Sequence, residues 1–190
     1  RRLDDTFLDP KVFNKESLIG VPGLFKCWKK GNVGIINALG TGVADDKAVY
    51  SYVNKMIVYY LGEQPKLNQV ETFLCENKVH RQHVIENIAK LVVKPANASG
   101  GYGIMIGPKA PKKERDEMVK KIKKNPRDFV AQPLEILSTI PTICENGIEP
   151  RHLDLRPFIL TGKTSYVTTG GLTRVALRKG STIVNSSQGG

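Results

Sequence analysis

The chain has 190 residues, 40% of them hydrophobic and 25% charged, which suits a globular protein with one sizeable core or two small lobes. Its strongly apolar stretches are short, Met56 to Leu61 being typical. None nears the roughly 20 residues that a membrane-crossing helix requires. The net charge of +11 leaves three classes of partner: nucleic acid, an anionic membrane surface or a polyphosphate ligand.

Much of the positive excess falls between Lys109 and Arg127, where Glu114, Asp116 and Glu117 interrupt the lysines. Mixed charge without interleaved aromatics favours a solvated helix face over a nucleic-acid surface. Cys27, Cys75 and Cys144 are far apart and odd in number, so neither a disulfide framework nor a paired metal spacing is expected. A reducing cytoplasm is the expected compartment. The chain opens on Arg1-Arg2 and closes on Gly189-Gly190, and it reads as a piece of a longer protein.

Residues 1 to 31 carry Pro10, Gly20, Pro22 and Gly23 as breakers and read as irregular. Asn32 to Asn37 reads as a short buried strand, and Leu39 to Val43 as a Gly-rich loop. Asp45 is placed to cap the helix that follows. Val49, Val53, Met56, Ile57 and Tyr60 mark one face of that helix, and Gly62 stands where a C-terminal cap belongs. Val70 to Cys75 reads as a strand, and Val79 to Lys90 as a helix with Val84, Ile85 and Ile88 inward. Leu91 to Lys94 is a strand stopped by Pro95, and Ile104 to Ile106 is another. A basic helix is expected from about Pro111 to Lys124, then a strand from Phe129 to Leu134.

From Arg151 onward the pattern is β. Leu153 to Leu160 alternates, Thr161-Gly162-Lys163 turns, and Ser165 to Thr168 returns. Leu172 to Arg178 and Ser181 to Asn185 read as two further strands. The fold class is therefore α+β or α/β, with helices packed on mostly antiparallel sheets.

The segment "LVVKPANASGGYGIMIG" delivers Lys94 on a strand, passes through Ser99-Gly100-Gly101 and leaves on a second strand. Glycines let backbone N–H groups approach phosphate oxygens, and the lysine adds a mobile charge. A Gly-rich hairpin with a surface lysine is the plainer alternative. Two better-known phosphate motifs fail: Ile106 stands where a dinucleotide-binding glycine would be, and Pro157 where a P-loop would begin. In "RHLDLRPFIL", Asp154 and Arg156 share one face of a strand, and Arg174 sits on another apolar strand. Guanidinium groups suit phosphate oxygens, but an ion pair within the sheet explains the pattern equally well. In "RRLDD", Arg2, Asp4 and Asp5 offer groups for phosphate and magnesium, against the alternative of a solvated terminus. Asn37 offers a further oxygen or is simply a turn residue. His80 and His83 are three apart on a helix and lack a third ligand, so they read as surface residues.

In order, these segments resemble the ATP-grasp succession, in which two α+β lobes hold ATP between them. The placement of "RRLDD" and "INALGTG" before the first lysine resembles the circularly permuted ATP-grasp proteins related to glutathionylspermidine synthase. The phrases "GTGVADDKA", "KPxxxSGGYG", "PRHxDLRPF", "GGLTRVAL" and "NSSQGG" carry the likeness over nearly the whole chain.

The resemblance implies an α+β, circularly permuted fold of two lobes with mostly antiparallel sheets and flanking helices. Residues 1–44 would belong to the metal and phosphate lobe. Residues 45–131 would form the lysine-bearing, Gly-loop nucleotide lobe. Residues 132–190 would form a hinge and the return to the arginine-bearing lobe. It implies ATP on Lys47, Lys94, Gly100, Gly101, Tyr102 and Gly103, with adenine read near Gln132 and Leu134. Arg2, Arg156 and Arg174 would serve the phosphates or an acyl-phosphate, and Asp4, Asp5 and Asn37 would hold Mg2+. Ile35 replaces a glutamate that ordinary family members carry two residues before the metal asparagine, and Gln132 replaces a common hinge glutamate. The activity implied is an ATP-dependent ligase joining an unidentified carboxylate to an amine, without a membrane. A non-catalytic ATP-binding module is the alternative, and a basic nucleic-acid-binding protein the third reading.

Overall fold

The computed structural model describes residues 3–97, 102–182 and 184. Two antiparallel sheets organise them. The first has the strand order β1-β4-β2-β3, built from Phe73–Leu74 (β1), Leu91–Pro95 (β2), Met105–Ile106 (β3) and Phe129–Pro133 (β4). The second runs β5-β6-β7, from Thr139–Cys144 (β5), Gly147–Thr161 (β6) and Ser165–Val175 (β7). The α+β class is as the sequence implies.

The first sheet has two different faces because side chains alternate along a strand. Val93 pairs with Met105 on one side and Ala131 on the other, and all three are buried. That face packs against helix α5 (Lys78–Glu86) through Val84 and against helix α6 (Lys112–Lys124) through Met118 and Ile122. Val92 pairs with Ile106 and Gln132, and this row lies on the opposite face. Lys94, two residues on, shares it.

Local chemistry explains the helices. The Asn77 side chain accepts the N–H groups of Val79 and His80 and so starts α5. In α6 the apolar residues Met118 and Ile122 are four apart and face inward, while the lysines stay in water. Gly107 follows β3 against the backbone after α5. A β-carbon there would lie 1.9 Å from the Ile88 carbonyl oxygen and 2.5 Å from that of Leu91, so only glycine fits.

Before residue 70 the chain is held differently. The helices α1 (Asp5–Leu8), α2 (Leu24–Lys29), α3 (Lys47–Tyr50) and α4 (Val53–Leu61) are short. Buried Asp9 gathers the first two by accepting the N–H groups of Lys11, Gly23 and Phe25. Such a polar pin replaces an apolar core.

Several expectations are corrected here. Asn32 to Asn37 forms no strand: Ile36 is 85% exposed, and Asn37 adopts a left-handed backbone, φ 60°, that breaks an extended run. The helix cap is Asp46 rather than Asp45, its side chain accepting the Ala48 N–H. The expected single helix is split into α3 and α4. Gly62 does terminate α4 with φ 65°, but the apolar face of α4 has no buried residue. The Val70 to Cys75 strand shrinks to Phe73–Leu74. Leu172 onward is not a separate strand but the second half of β7, which ends at Val175. Ser181, Thr182 and Val184 lie outside strands, and Asn185 is outside the described residues. Strand β5 was not anticipated.

Ile122 is fully buried between α6 and the sheet. Ile122→Ala is expected to cost about 2–5 kcal/mol in urea denaturation, whereas Val79→Ala, at a residue 77% exposed, changes stability by less than about 0.5 kcal/mol.

Candidate nucleotide site

The polar face of the first sheet and the strands β6 and β7 enclose a cleft of about 610 Å³, within the range of small-molecule sites. Val92, Ile104, Ile106 and Leu137 give it apolar walls. Lys94, Gln132, Asp154, Arg156 and Arg174 give it charge and hydrogen-bonding groups.

Lys94 reaches the cleft because β2 turns its even-numbered residues away from the helices. Its ammonium donates to the Gln132 Oε1 at 2.6 Å. The Gln132 Nε2 donates in turn to the Thr72 hydroxyl at 2.8 Å. Burial first, and then the charge of Lys47, hold the Lys94 ammonium below its ordinary pKa.

Lys47 begins α3 and donates its backbone N–H to the Ala96 carbonyl at 2.8 Å, which ties the helix to the chain just beyond Lys94. Arg127 fixes the same corner through Asp46 at 2.7 Å. Burial lowers the Lys47 pKa, and Asp46 and Asp45 only partly restore it. Lys47 is not among the cleft-lining residues, but its charge acts on Lys94. Two lysines so placed raise the potential for an anion.

Asp154 holds both arginines. Its Oδ2 accepts from the Arg156 Nε at 3.1 Å and from the Arg174 Nη2 at 3.0 Å. Register explains the arrangement: Asp154 lies opposite Arg174, and Arg156 is two residues along the same face. Burial alone would raise the Asp154 pKa; the hydrogen bonds from Arg174 and Arg156 outweigh it and leave the carboxyl below the usual range. The charged pair foreseen in the sequence is thus an intra-sheet ion cluster, and it also lines the cleft.

Leu134 lines the cleft beside Glu135, immediately after β4. Gly103 has φ 72°, and a β-carbon there would meet the Pro95 Cγ at 2.9 Å, so this end of the loop needs glycine on two counts. Tyr102 is exposed. Gly100, Gly101 and Arg2 lie outside the described residues.

The proposed metal residues sit elsewhere. Asp4 and Asn37 are exposed, and Asp5 accepts the Gly40 N–H at 2.9 Å, which joins the acidic turn to the turn carrying Asn37. None of the three lines the cleft. Among the described residues there is no group of three or more His, Cys, Asp or Glu able to cage a metal ion. Nor does any described helix have the length and apolarity to cross a membrane.

Sequence reasoning missed Thr72, Asp46 with Arg127, and the apolar wall of Val92, Ile104 and Ile106. The period-2 pattern of β2 and β4 carries the signal for the wall. Arg127 could not be found that way, because its partner is remote in sequence.

With this geometry in place, comparison with known proteins is informative. The family model of circularly permuted ATP-grasp type 2 matches residues 1–176, and the chain belongs to that family. A protein of Synechocystis sp. is 54% identical over 191 residues, covering 100% of this chain and 40% of that protein. A protein of Mycobacterium tuberculosis is 50% identical over 191 residues, covering 100% of this chain and 35% of that protein. A protein of Frankia casuarinae named "Putative glutamate--cysteine ligase 2-2" is 44% identical over 190 residues, covering 100% of this chain and 22% of its own length. The chain therefore spans two fifths or less of each of these relatives.

The depressed Asp154 pKa has a defined sign. Its ion pairs stabilise the fold above the unfolded carboxyl value near 3.8 and are lost as pH falls through the lower folded value. Asp154→Asn removes that contribution. The gap in urea midpoint between wild type and Asp154→Asn should be widest near neutrality and narrow as pH falls below about 3.8.

Proposed function

We propose that this chain is the nucleotide-binding core of an ATP-dependent ligase that joins a carboxylate to an amine. The observation that carries the reading is the convergence of Lys94, Arg156 and Arg174 on one apolar-walled cleft, with the charge of Lys47 acting on Lys94. Apolar walls suit a purine, and the cations suit its phosphates. Family membership and the name of the Frankia relative support a ligase, although the chain matches only 22% of that relative's length.

In the proposed reaction a carboxylate oxygen attacks the γ-phosphorus of ATP, and ADP leaves. The amine nitrogen then attacks the carbonyl carbon of the acyl-phosphate. Inorganic phosphate departs with the C–O bonding electrons, and the amine proton passes to water. Lys94 and Lys47 would hold the phosphates, with Gly100, Gly101, Tyr102 and Gly103 closing over them. Gln132 and the backbone at Leu134 would meet the adenine. Arg156 and Arg174, with Arg2, would neutralise the charge that develops on the transferred phosphoryl group. Because Asp154 already holds Arg156 and Arg174, little ordering is left to be done on binding.

Magnesium would be held by Asp4, Asp5 and Asn37, hard oxygen donors on two segments joined by the Asp5 to Gly40 hydrogen bond. It needs only one or two carboxylates when phosphates supply the other ligands, so a complete protein cage is not required. An amino-acid or polyamine substrate and a cytoplasmic location belong to the same proposal.

The Lys94 ammonium is a burden to the free protein, because burial and Lys47 disfavour its charge. Lys94→Met removes that cost together with the hydrogen bond to Gln132, so the stability of the ligand-free protein should change little. The substitution should also abolish the gain of about 2.7 kcal/mol that ATP at ~100 times its dissociation constant gives the wild type. Thermal unfolding with and without ATP and magnesium measures both. An unchanged ATP-induced shift in Lys94→Met would overturn the assignment.

A further inference from the structure

Lys94 does not stand alone in the cleft wall. Its ammonium, the Gln132 amide, the Thr72 hydroxyl and the Val70 carbonyl form a single file of hydrogen bonds, at 2.6, 2.8 and 3.0 Å in turn. The file has one polarity. A carbonyl oxygen can only accept, so the Thr72 hydroxyl gives its single proton to Val70. The hydroxyl oxygen must then accept from its other neighbour. Only the Nε2 end of Gln132 can donate there, which leaves Oε1 for Lys94.

Turning the amide over would set its NH2 donors against an ammonium, and its carbonyl against a hydroxyl whose proton is committed elsewhere. The end of Gln132 that meets Lys94 is therefore specified from both sides, by the ammonium itself and by the Thr72 hydroxyl one hydrogen bond further on. Sheet register places Thr72 for this task. Phe73 pairs with Ala131 and Leu74 with Val130, so the same antiparallel register puts Thr72 across from Gln132. Val70, Lys94 and Gln132 line the cleft, whereas Thr72 does not.

We propose that Thr72 is a positioning residue: by fixing the orientation of the Gln132 amide, it holds the Lys94 ammonium at the cleft wall for an anionic ligand. The consequence for ATP rests on the nucleotide reading above. The geometric claim stands apart from it.

An amide is asymmetric and a carboxylate is not, which makes Gln132→Glu a decisive variant. In Gln132→Glu both side-chain oxygens accept, so Lys94 keeps its acceptor whichever way the group turns. Thr72 should then lose its influence. Thr72→Val keeps the shape and removes the hydroxyl, and Thr72→Ser keeps the hydroxyl.

Two measurements on the full chain test this. The first needs no ligand: nitrogen-detected NMR of the Gln132 side-chain amide. Wild type and Thr72→Ser should show protected amide protons, and Thr72→Val should show fast solvent exchange. The second is ATP affinity by calorimetry. Thr72→Val should bind about three- to tenfold more weakly, the range expected for one lost hydrogen bond, with Thr72→Ser near wild type. In the Gln132→Glu background, adding Thr72→Val should change affinity by less than about twofold, a coupling that a packing role would not give.

Unchanged exchange in Thr72→Val overturns the proposal. So does a Thr72→Ser variant as impaired as Thr72→Val, or an undiminished Thr72→Val effect in the Gln132→Glu background. If the exchange results are as expected but wild type binds no ATP, the nucleotide reading fails, and Thr72 remains the residue that sets Lys94 for a different anion.

Discussion

The site is organised around one electrostatic tension: two lysines are held where they raise each other's potential, and one of them is buried. Lys94 lies on a central strand, and both its burial and the charge of Lys47 work against its ammonium. Flexible lysines would relax such a conflict by swinging into water. Here the Lys47 backbone is anchored close to Lys94, and the Lys94 ammonium itself is engaged. The Lys47 backbone is bonded to Ala96, two residues beyond Lys94, and its helix is started by Asp46, which Arg127 holds. Lys94 is engaged by Gln132. Under the proposed function, a polyanion in the cleft would offset the repulsion between the two lysines.

The same sheet serves as both core and binding surface. Val93, Met105 and Ala131 face the helices, and Val92, Ile106 and Gln132 face the cleft. A one-residue slip of β2 would exchange the two sets, putting Lys94 into the core and Val93 into the site. The apolar packing of Val84, Met118 and Ile122 is thus what keeps the lysine on the correct side. Stability and the shape of the cleft are coupled through register, although the cluster of Val84, Val93, Met118 and Ile122 does not line the cleft. The glycines at 103 and 107 serve the same end, allowing the chain to pass close to Pro95 on one side of β3 and to Ile88 on the other.

What could be read from the sequence follows from how local its causes are. Strands β2 and β4, the caps at Gly62 and the run of α6 rest on neighbours within a few residues, and they appear where the pattern puts them. Asn32 to Asn37 looked apolar enough for a strand, but a strand needs a partner, and nothing local says whether one arrives. Strand β5 shows the converse: Thr139 to Cys144, with Pro141 in its middle, has a weak pattern and forms because β6 lies alongside. Lys94, Arg156 and Arg174 stood out as charges on apolar strands. Thr72 did not, because its role exists only through Gln132, 60 residues away.

The distribution of charge also separates two jobs that the net value of +11 runs together. The lysines on the outer face of α6 are solvent-exposed, so their individual effects are screened beyond about 8–10 Å in physiological salt. Collectively they still bias the approach of any polyanion. They cannot discriminate among polyanions, because water competes for each of them. Discrimination falls to the cleft, where Lys94 is half-buried and Asp154 keeps Arg174 at 14% side-chain exposure. There the cations are few and set against apolar walls, an arrangement that suits the nucleotide proposed above. Most of the chain's basicity therefore says little about what it binds, and the arrangement around Lys94 says most of it.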